Sequence, residues 1–160
     1  MEYRPLTRKK KELPLSECLA LLKTEKRGVL SVLGDGGYPY GTPINHFYNE
    51  ADGRLYFHCG RLGHRLDALR GCDKASFCCV DGGAPAGDPA WALRFRSVIV
   101  FGRVAIIDDP ALAREIGEKL SRKFTDDEGF ISREIERSGP ATLILALTPE
   151  HICGKIITES

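Results

Sequence analysis

Leu15, Cys18, Leu19 and Leu22 recur at i, i+3, i+4 and i+7, one apolar stripe of a short helix that opens after Pro14 and ends before Gly28. The period then drops to two. Residues 29–33 are almost wholly apolar, and Gly34-Asp35-Gly36-Gly37 supplies the positive-φ residues of a hairpin turn. Residues 38–48 alternate, with Tyr40, Thr42, Ile44, His46 and Tyr48 on one face, and residues 54–59 alternate again. Leu62, Leu66 and Leu69 stripe a short helix, with Gly71 at its C′ position. A strand over 74–80 and a Gly/Pro/Ala/Asp-rich mobile loop over 81–89 come next.

Residues 91–107 form one β-pattern far longer than the usual strand of about 5–6 residues, with Gly102 placed for a bend or bulge. Asp109 and Pro110 start a helix that Leu112, Ile116, Leu120 and Phe124 continue along one face. Thr125 and Glu128 read as a capping box for a second helix, which stops at Gly139-Pro140. Residues 142–148 form a last core strand and 152–158 a short tail. Hairpin-linked strands with helices appended make the chain α+β, and the bent long strand favours a closed antiparallel barrel over a flat sheet.

Composition narrows the partners. The 160 residues suit a single domain, with 1–13 as a basic arm, and 42% hydrophobic with 28% charged residues is a soluble profile. A formal charge of +1 offers no field for a nucleic-acid backbone. The apolar run 143–147 is far short of the roughly 20 residues of a spanning helix, so no membrane partner is expected. Arg8, Lys9, Lys10 and Lys11 precede no apolar stretch long enough for a signal peptide and read as a solvated arm. The six cysteines include no CxxC pair, and Cys78 and Cys79 are adjacent on a strand, facing opposite ways. They read as reduced, mostly core thiols of a cytoplasmic protein, and no metal site is expected.

Three stretches carry candidate chemistry. In Tyr56-Phe57-His58-Cys59-Gly60-Arg61-Leu62-Gly63-His64-Arg65 a strand hands over to a helix through two glycines. Free amides at a helix start attract anions, glycine lets a phosphate approach, and Arg65 adds a forked donor. An exposed basic first turn with two convenient glycines would look the same. In Pro39-Tyr40-Gly41-Thr42-Pro43-Ile44-Asn45-His46-Phe47 the strand proline removes a ladder donor, which places Pro43 on an edge. Gly41 would let a flat ligand approach the backbone, though this stretch by itself favours an ordinary proline-protected edge strand. In Arg94-Phe95-Arg96-Ser97-Val98-Ile99-Val100-Phe101-Gly102-Arg103 two arginines share one face, toward a ligand, a partner subunit or solvent.

Taken in order with Gly28-Val29-Leu30-Ser31 and His151-Ile152-Cys153-Gly154-Lys155, these stretches resemble the pyridoxamine-phosphate-oxidase-like family of FMN-binding split barrels. The branch of nitroimidazole reductases and resistance proteins is the most similar. The resemblance implies a six-stranded antiparallel split barrel with peripheral helices, and a homodimer with FMN at the subunit interface. Thr42, Pro43, Ile44 and Asn45 would lie along the isoalloxazine ring, Phe57 and His58 would border it, and Gly63, His64 and Arg65 would take the phosphate. Arg96 and Ser97 would come from the long strand, with Ser97 where the oxidase carries glutamine, and Trp91 would cover the flavin of the partner subunit.

His58 would be the catalytic residue, donating a proton to a reduced substrate, or else a histidine that shapes the pocket. His46 and His151 read as structural. The implied activity is an FMN-dependent reductase passing electrons from NAD(P)H to a small nitroaromatic or other oxidised acceptor. The alternative is a non-catalytic module holding FMN, or haem on His58, His64 or His151. Pyridoxamine-phosphate oxidation itself ranks below both, because the tail after Ile152 offers only Lys155 to grip a substrate phosphate.

Overall fold

The structure, a computed structural model, describes residues 3–89 and 91–159. Helix α1 (Leu15–Thr24) leads into β1 (Arg27–Leu33), β2 (Pro39–Asn45), β3 (Phe47–Asn49) and β4 (Arg54–Gly60). Helix α2 (His64–Gly71), β5 (Lys74–Val80), the two-residue β6 (Ala84–Pro85) and β7 (Leu93–Ile107) follow, then α3 (Pro110–Ser121), α4 (Glu128–Ser138) and β8 (Thr142–Thr158). The strands form one curled antiparallel sheet in the order β2-β1-β5-β7-β8-β4-β3, with β6 attached to β7. Among the described residues that makes eight strands rather than six. The two extra are β6, inside the expected mobile loop, and β3, cut from the expected strand 38–48 at His46.

That cut defines the architecture. β2 and β3 are the two edges of the sheet, yet only His46 separates them in sequence, so the chain steps from edge to edge in one residue. The sheet curls until β2 packs beside β4 without a ladder between them. His46 is fully buried against Phe77, with ring centroids 4.7 Å apart, and its Nε2 lies 2.8 Å from the Leu22 carbonyl oxygen while Nδ1 has no partner. Lys123, beyond the end of α3, donates to the carbonyl oxygens of Glu25 and, at 3.0 Å, His46. The structural role expected for His46 is what the fold uses.

Inside the curl, Leu30, Val32, Leu55, Phe57, Phe77, Val98, Val100, Leu145 and Leu147 form the core, joined by Cys18, Leu21 and Leu22 of α1 and Leu66 and Leu69 of α2. Alternation along β4 and β8 turns Tyr56, Ile144 and Ala146 outward, where Ala113 and Ile116 of α3 cover them. Asp109 caps α3 as expected, accepting from the Ala111 and Leu112 amides at 2.9 and 3.2 Å. The capping box at Thr125 does not form. Glu128 pairs instead with Arg122 at 2.9 Å, and Asp127 caps α4 through the Phe130 amide at 2.9 Å. Nor does α2 begin at Leu62, which is 89% exposed; Gly63, with φ 129°, ends the preceding turn, and Gly71 is the last helical residue rather than a left-handed cap.

The expected tail and last strand are one 17-residue strand paired along β7. Pro149 and Glu150 look like a terminus in sequence, but a bulge absorbs them: Phe101 pairs with His151 and Gly102 with Pro149, leaving Glu150 extra. A Cβ on Gly102 would stand 2.1 Å from the Thr148 carbonyl oxygen, so only glycine fits the bend. All six cysteines are free, with Cys18 and Cys79 buried and the other four partly exposed, which corrects the expectation of mainly core thiols. No helix among the described residues is long and apolar enough to cross a membrane.

Two outcomes follow from the bend and the seam. Gly102→Ala forces the β7–β8 bulge apart and costs about 3 kcal/mol, read as a lowered urea midpoint. Burial, helped by the Lys123 ammonium, holds the His46 imidazole at about 4 against its ordinary 6.5. The unfolded chain therefore takes up a proton near pH 6.5 that the folded chain refuses until about pH 4. This contribution is intact above pH 6.5 and shrinks as pH falls toward 4, by about 3 kcal/mol over the window. Urea unfolding at stepped pH checks it, and His46→Gln, which cannot titrate, flattens that part of the slope.

Candidate functional site

The handover from β4 to α2 is the first place where the expected site residues meet. β4 ends at Gly60, residues 61–63 turn, and α2 begins with its first amides free of helical partners. Arg65, on the first turn of α2, reaches across the open side of the barrel: its Nε donates to Thr42 Oγ1 at 3.0 Å and its Nη2 donates to the same oxygen. The His64 ring packs on Tyr40 at 4.2 Å, and its Nε2 accepts from the Asp35 amide at 3.4 Å, with the Asp35 carboxylate 3.5 Å away. Tyr40, His64 and Arg65, with Cys59, Gly60 and Gly63, line a concavity of about 240 Å³, and Thr42 stands just outside it. No atom lies within 4 Å of where a Gly63 Cβ would stand. Open space, unspent guanidinium hydrogens and free amides fit a phosphate monoester.

Strand β2 borders this corner as an edge, as Pro43 predicts, so one row of its backbone groups has no strand partner. Its side chains divide. Thr42 turns to Arg65, Ile44 is buried in the core, Pro43 faces outward opposite Val29, and Asn45 accepts from Arg27 Nε at 3.1 Å through Oδ1. Gly41 serves its own sheet, because a Cβ there would press on Ser31 Oγ at 3.1 Å and Val29 Cγ1 at 3.2 Å. Phe57 is fully buried with its ring 5.2 Å from Phe77, so its side chain belongs to the core and not to a ligand.

His58, one residue further along β4, faces the other way. It lines a cleft of about 290 Å³ between the sheet and the α3–α4 pair, with Ala113, Leu120, Phe124, Phe130 and Ile135 as walls and Glu134 and Thr142 as polar neighbours. Desolvation by its neighbours holds the His58 imidazole below its ordinary value, although the residue remains exposed to solvent. Phe124, expected to continue the helix face of Leu112, Ile116 and Leu120, lies beyond the end of α3 at Ser121 as a partly exposed wall of this cleft, with Lys26 Nζ at 5.3 Å and Arg27 Cζ at 5.5 Å from its ring centroid. The corner and the cleft thus lie on opposite faces of β4 and share its end, where Gly60 pairs with Thr142.

The long strand's candidates do not join them within the chain. Arg96 is committed to Asp81, with Nε 2.8 Å from Oδ2, and lies 3.7 Å from Glu17. Ser97 stands between Val80 and Lys155, three strands from β2 and so roughly 14 Å across the sheet. Trp91 is 65% exposed. Sequence reading passed over Lys123 and Arg61 as site-shaping residues; a lone cation in a charged stretch carries no local signal for either.

The outer face of the sheet beside the corner has its own pattern. Pro43, Val29, Cys78, Ile99 and Cys153 are cross-strand neighbours in a single row over β2, β1, β5, β7 and β8. Val29, Leu33, Val80 and Ile99 are all exposed on this face, and Lys74, Arg103 and Lys155 stand at its rim. The row is thus an exposed apolar centre within a charged border.

The family model described as pyridoxamine 5'-phosphate oxidase matches residues 14–156. Among solved structures, a candidate 5-nitroimidazole antibiotic resistance protein from Bacteroides thetaiotaomicron superposes with a TM-score of 0.77 at 17% identity, covering 92% of this chain and 87% of that one. A conserved hypothetical protein from Mycobacterium tuberculosis gives 0.77 at 15% identity, over 94% and 90%. A FAD-binding protein from Mesorhizobium loti gives 0.61 at 22% identity, over 94% and 97%. No curated protein matches the chain in sequence. With the family match running through every core strand and the curled sheet split between β2 and β4, this chain belongs to the pyridoxamine 5'-phosphate oxidase family of split barrels.

Proposed function

We propose that the chain binds FMN as a homodimer and passes electrons from a nicotinamide nucleotide to a small nitroaromatic or related oxidised acceptor. The observation that carries this is the Arg65–Thr42 contact at the open Gly63 turn, a forked cation beside free amides at the edge of a split barrel. Solved relatives described as binding FAD, from Mesorhizobium loti and Mycobacterium smegmatis, support a flavin. The choice of FMN rests on a corner with one guanidinium for one terminal phosphate. When bound, the flavin supplies the two-electron chemistry that no side chain here offers.

The chain's own residues have separate tasks in this reading. Arg65 and the first amides of α2 hold the phosphate, and the unpaired edge of β2 at 42–45 offers backbone donors and acceptors to the polar edge of a flat ring. His58, neutral at pH 7, orients an acceptor through its ring N–H or passes on a proton taken from solvent, rather than acting as a standing imidazolium. The cleft beside it has aromatic walls suited to a small ring. The apolar outer row supports a second copy as the partner. Such a copy is also the route by which Ser97 and Trp91, remote from the corner in one chain, come to a shared site. A solved relative from Mycobacterium smegmatis described as binding FAD and haem keeps the haem alternative in view, with His58 as its candidate ligand, since His64 packs on Tyr40 at 4.2 Å beside Asp35 and His151 is stacked on Tyr3 at 4.5 Å.

Two measurements test the reading. Arg65→Ala should weaken FMN by about 1.5–3 kcal/mol, roughly tenfold to a hundredfold, and leave riboflavin nearly unchanged, because only the phosphate loses its charge-assisted donor. Fluorescence-quench titration reads both ligands, and equal losses would remove the phosphate from this corner. Ile99→Asp places a carboxylate in the centre of the apolar row, and light scattering should then report a monomer where the unaltered chain is a dimer. The same variant should lose flavin affinity; a dimer that persists would move the interface elsewhere.

A further inference from the structure

Arg61 lies between the two compartments and touches neither. It follows Gly60 in the turn that leads to the anion corner, and by charge it belongs with His64 and Arg65 as an anion donor. Its guanidinium points away from the corner. Nη1 and Nη2 meet the two oxygens of Asp108 at 2.8 and 2.7 Å, and Nε donates to the Pro140 carbonyl oxygen at 3.2 Å. Asp108 immediately precedes the cap of α3, and Pro140 sits in the 3₁₀ turn between α4 and β8. One planar group therefore joins three segments: the corner turn, the start of the first cleft helix and the exit of the second. Gly139 and Thr142, on either side of that exit, line the His58 cleft.

We propose that Arg61 is a positioning residue that fixes the anion corner at a set distance and angle from the His58 cleft. The inference rests on the reading of one ligand site shared by corner and cleft. Its physical basis is geometric rather than energetic. Both partners of the ion pair are largely solvated, with side-chain exposures of 45% and 59%, and such a pair adds little to global stability. A fork held at two carboxylate oxygens and one carbonyl nevertheless leaves the guanidinium plane no freedom to rotate, so movement of the turn must be shared by both helices. Lysine, a point charge with no fork, keeps the attraction and loses the plane. The chain has other exposed ion pairs, some within one helix, such as Arg70–Asp67, and some between segments, such as Arg103 with Asp73 and Glu150, but these do not tie the corner turn to the cleft helices.

The test begins with the full chain and no flavin. In Arg61→Ala, amide hydrogen exchange should quicken about tenfold at both 60–63 and 139–142, while the urea midpoint and the exchange of α1 stay as they were. Arg61→Lys should behave like Arg61→Ala, and Asp108→Asn should fall between it and the unaltered chain. Faster exchange in only one of the two segments, or full protection with lysine, overturns the proposal. The second arm adds FMN. Because Arg65 is untouched, affinity should change less than about threefold, whereas the visible circular dichroism of the bound flavin should change sign or shape as the ring shifts against the cleft. An unaltered spectrum in Arg61→Ala overturns the proposal even if exchange has quickened. A chain that binds no flavin at all refutes the functional reading and leaves the exchange result to judge the strut by itself.

Discussion

The fold depends on a single-residue crossing. At His46 the backbone leaves one edge of the sheet and enters the other, so the curl is closed by covalent chain where a barrel would ordinarily close by hydrogen bonds. Closing it this way leaves the free edge of β2 and the part of β4 beyond Tyr56, which β3 does not reach, unpaired, and unpaired edges are a liability unless something covers or uses them. The crossing must also be held shut. The Leu22 carbonyl holds the His46 ring, the Lys123 ammonium holds the His46 and Glu25 carbonyls, and Phe77 fills the space beneath. Burial pushes Lys123 down to about 8 and Cys79 up to about 12, signs of how dry this corner is.

The candidate site is a consequence of that opening. Because β2 ends next to β4 without pairing, Arg65 at the start of α2 can reach Thr42 across the gap, and a turn with open space at Gly63 lies beside it. On the far face of β4, the same strand presents His58 to the α3–α4 layer. Strand alternation thus sends His58 to the cleft and both its neighbours to the opposite face, Phe57 into the core and Cys59, near the strand's end, beside the corner. The apolar row on the outer face, with Val29, Leu33, Val80 and Ile99 exposed, is why the proposed function invokes a second copy.

Much of this was legible in the residues. The alternation over 38–48, the capping aspartate at 109, the proline edge at 43 and the glycine bend at 102 each rest on local chemistry, and each is where expected. The errors share a cause. The break at His46 looks like continuous alternation because both halves keep the same inward face while changing edges. The Pro149-Glu150 pair looks like a strand end because a bulge is defined by its partner, and Glu128 looks like a capping residue until Arg122 takes it.

The sequence by itself determined the α+β class, the order of elements and which stretch could attract an anion, because period, caps and glycine placement act over a few residues. Only the tertiary structure decided that Thr42 meets Arg65, that Phe57 belongs to the core and His58 to a cleft, and that Arg61 turns its charge away from the corner. Those outcomes depend on which strands become edges and on what lies across the gap. Contacts between residues 23 and 47 positions apart are set by the curl of the whole sheet, not by any window of sequence.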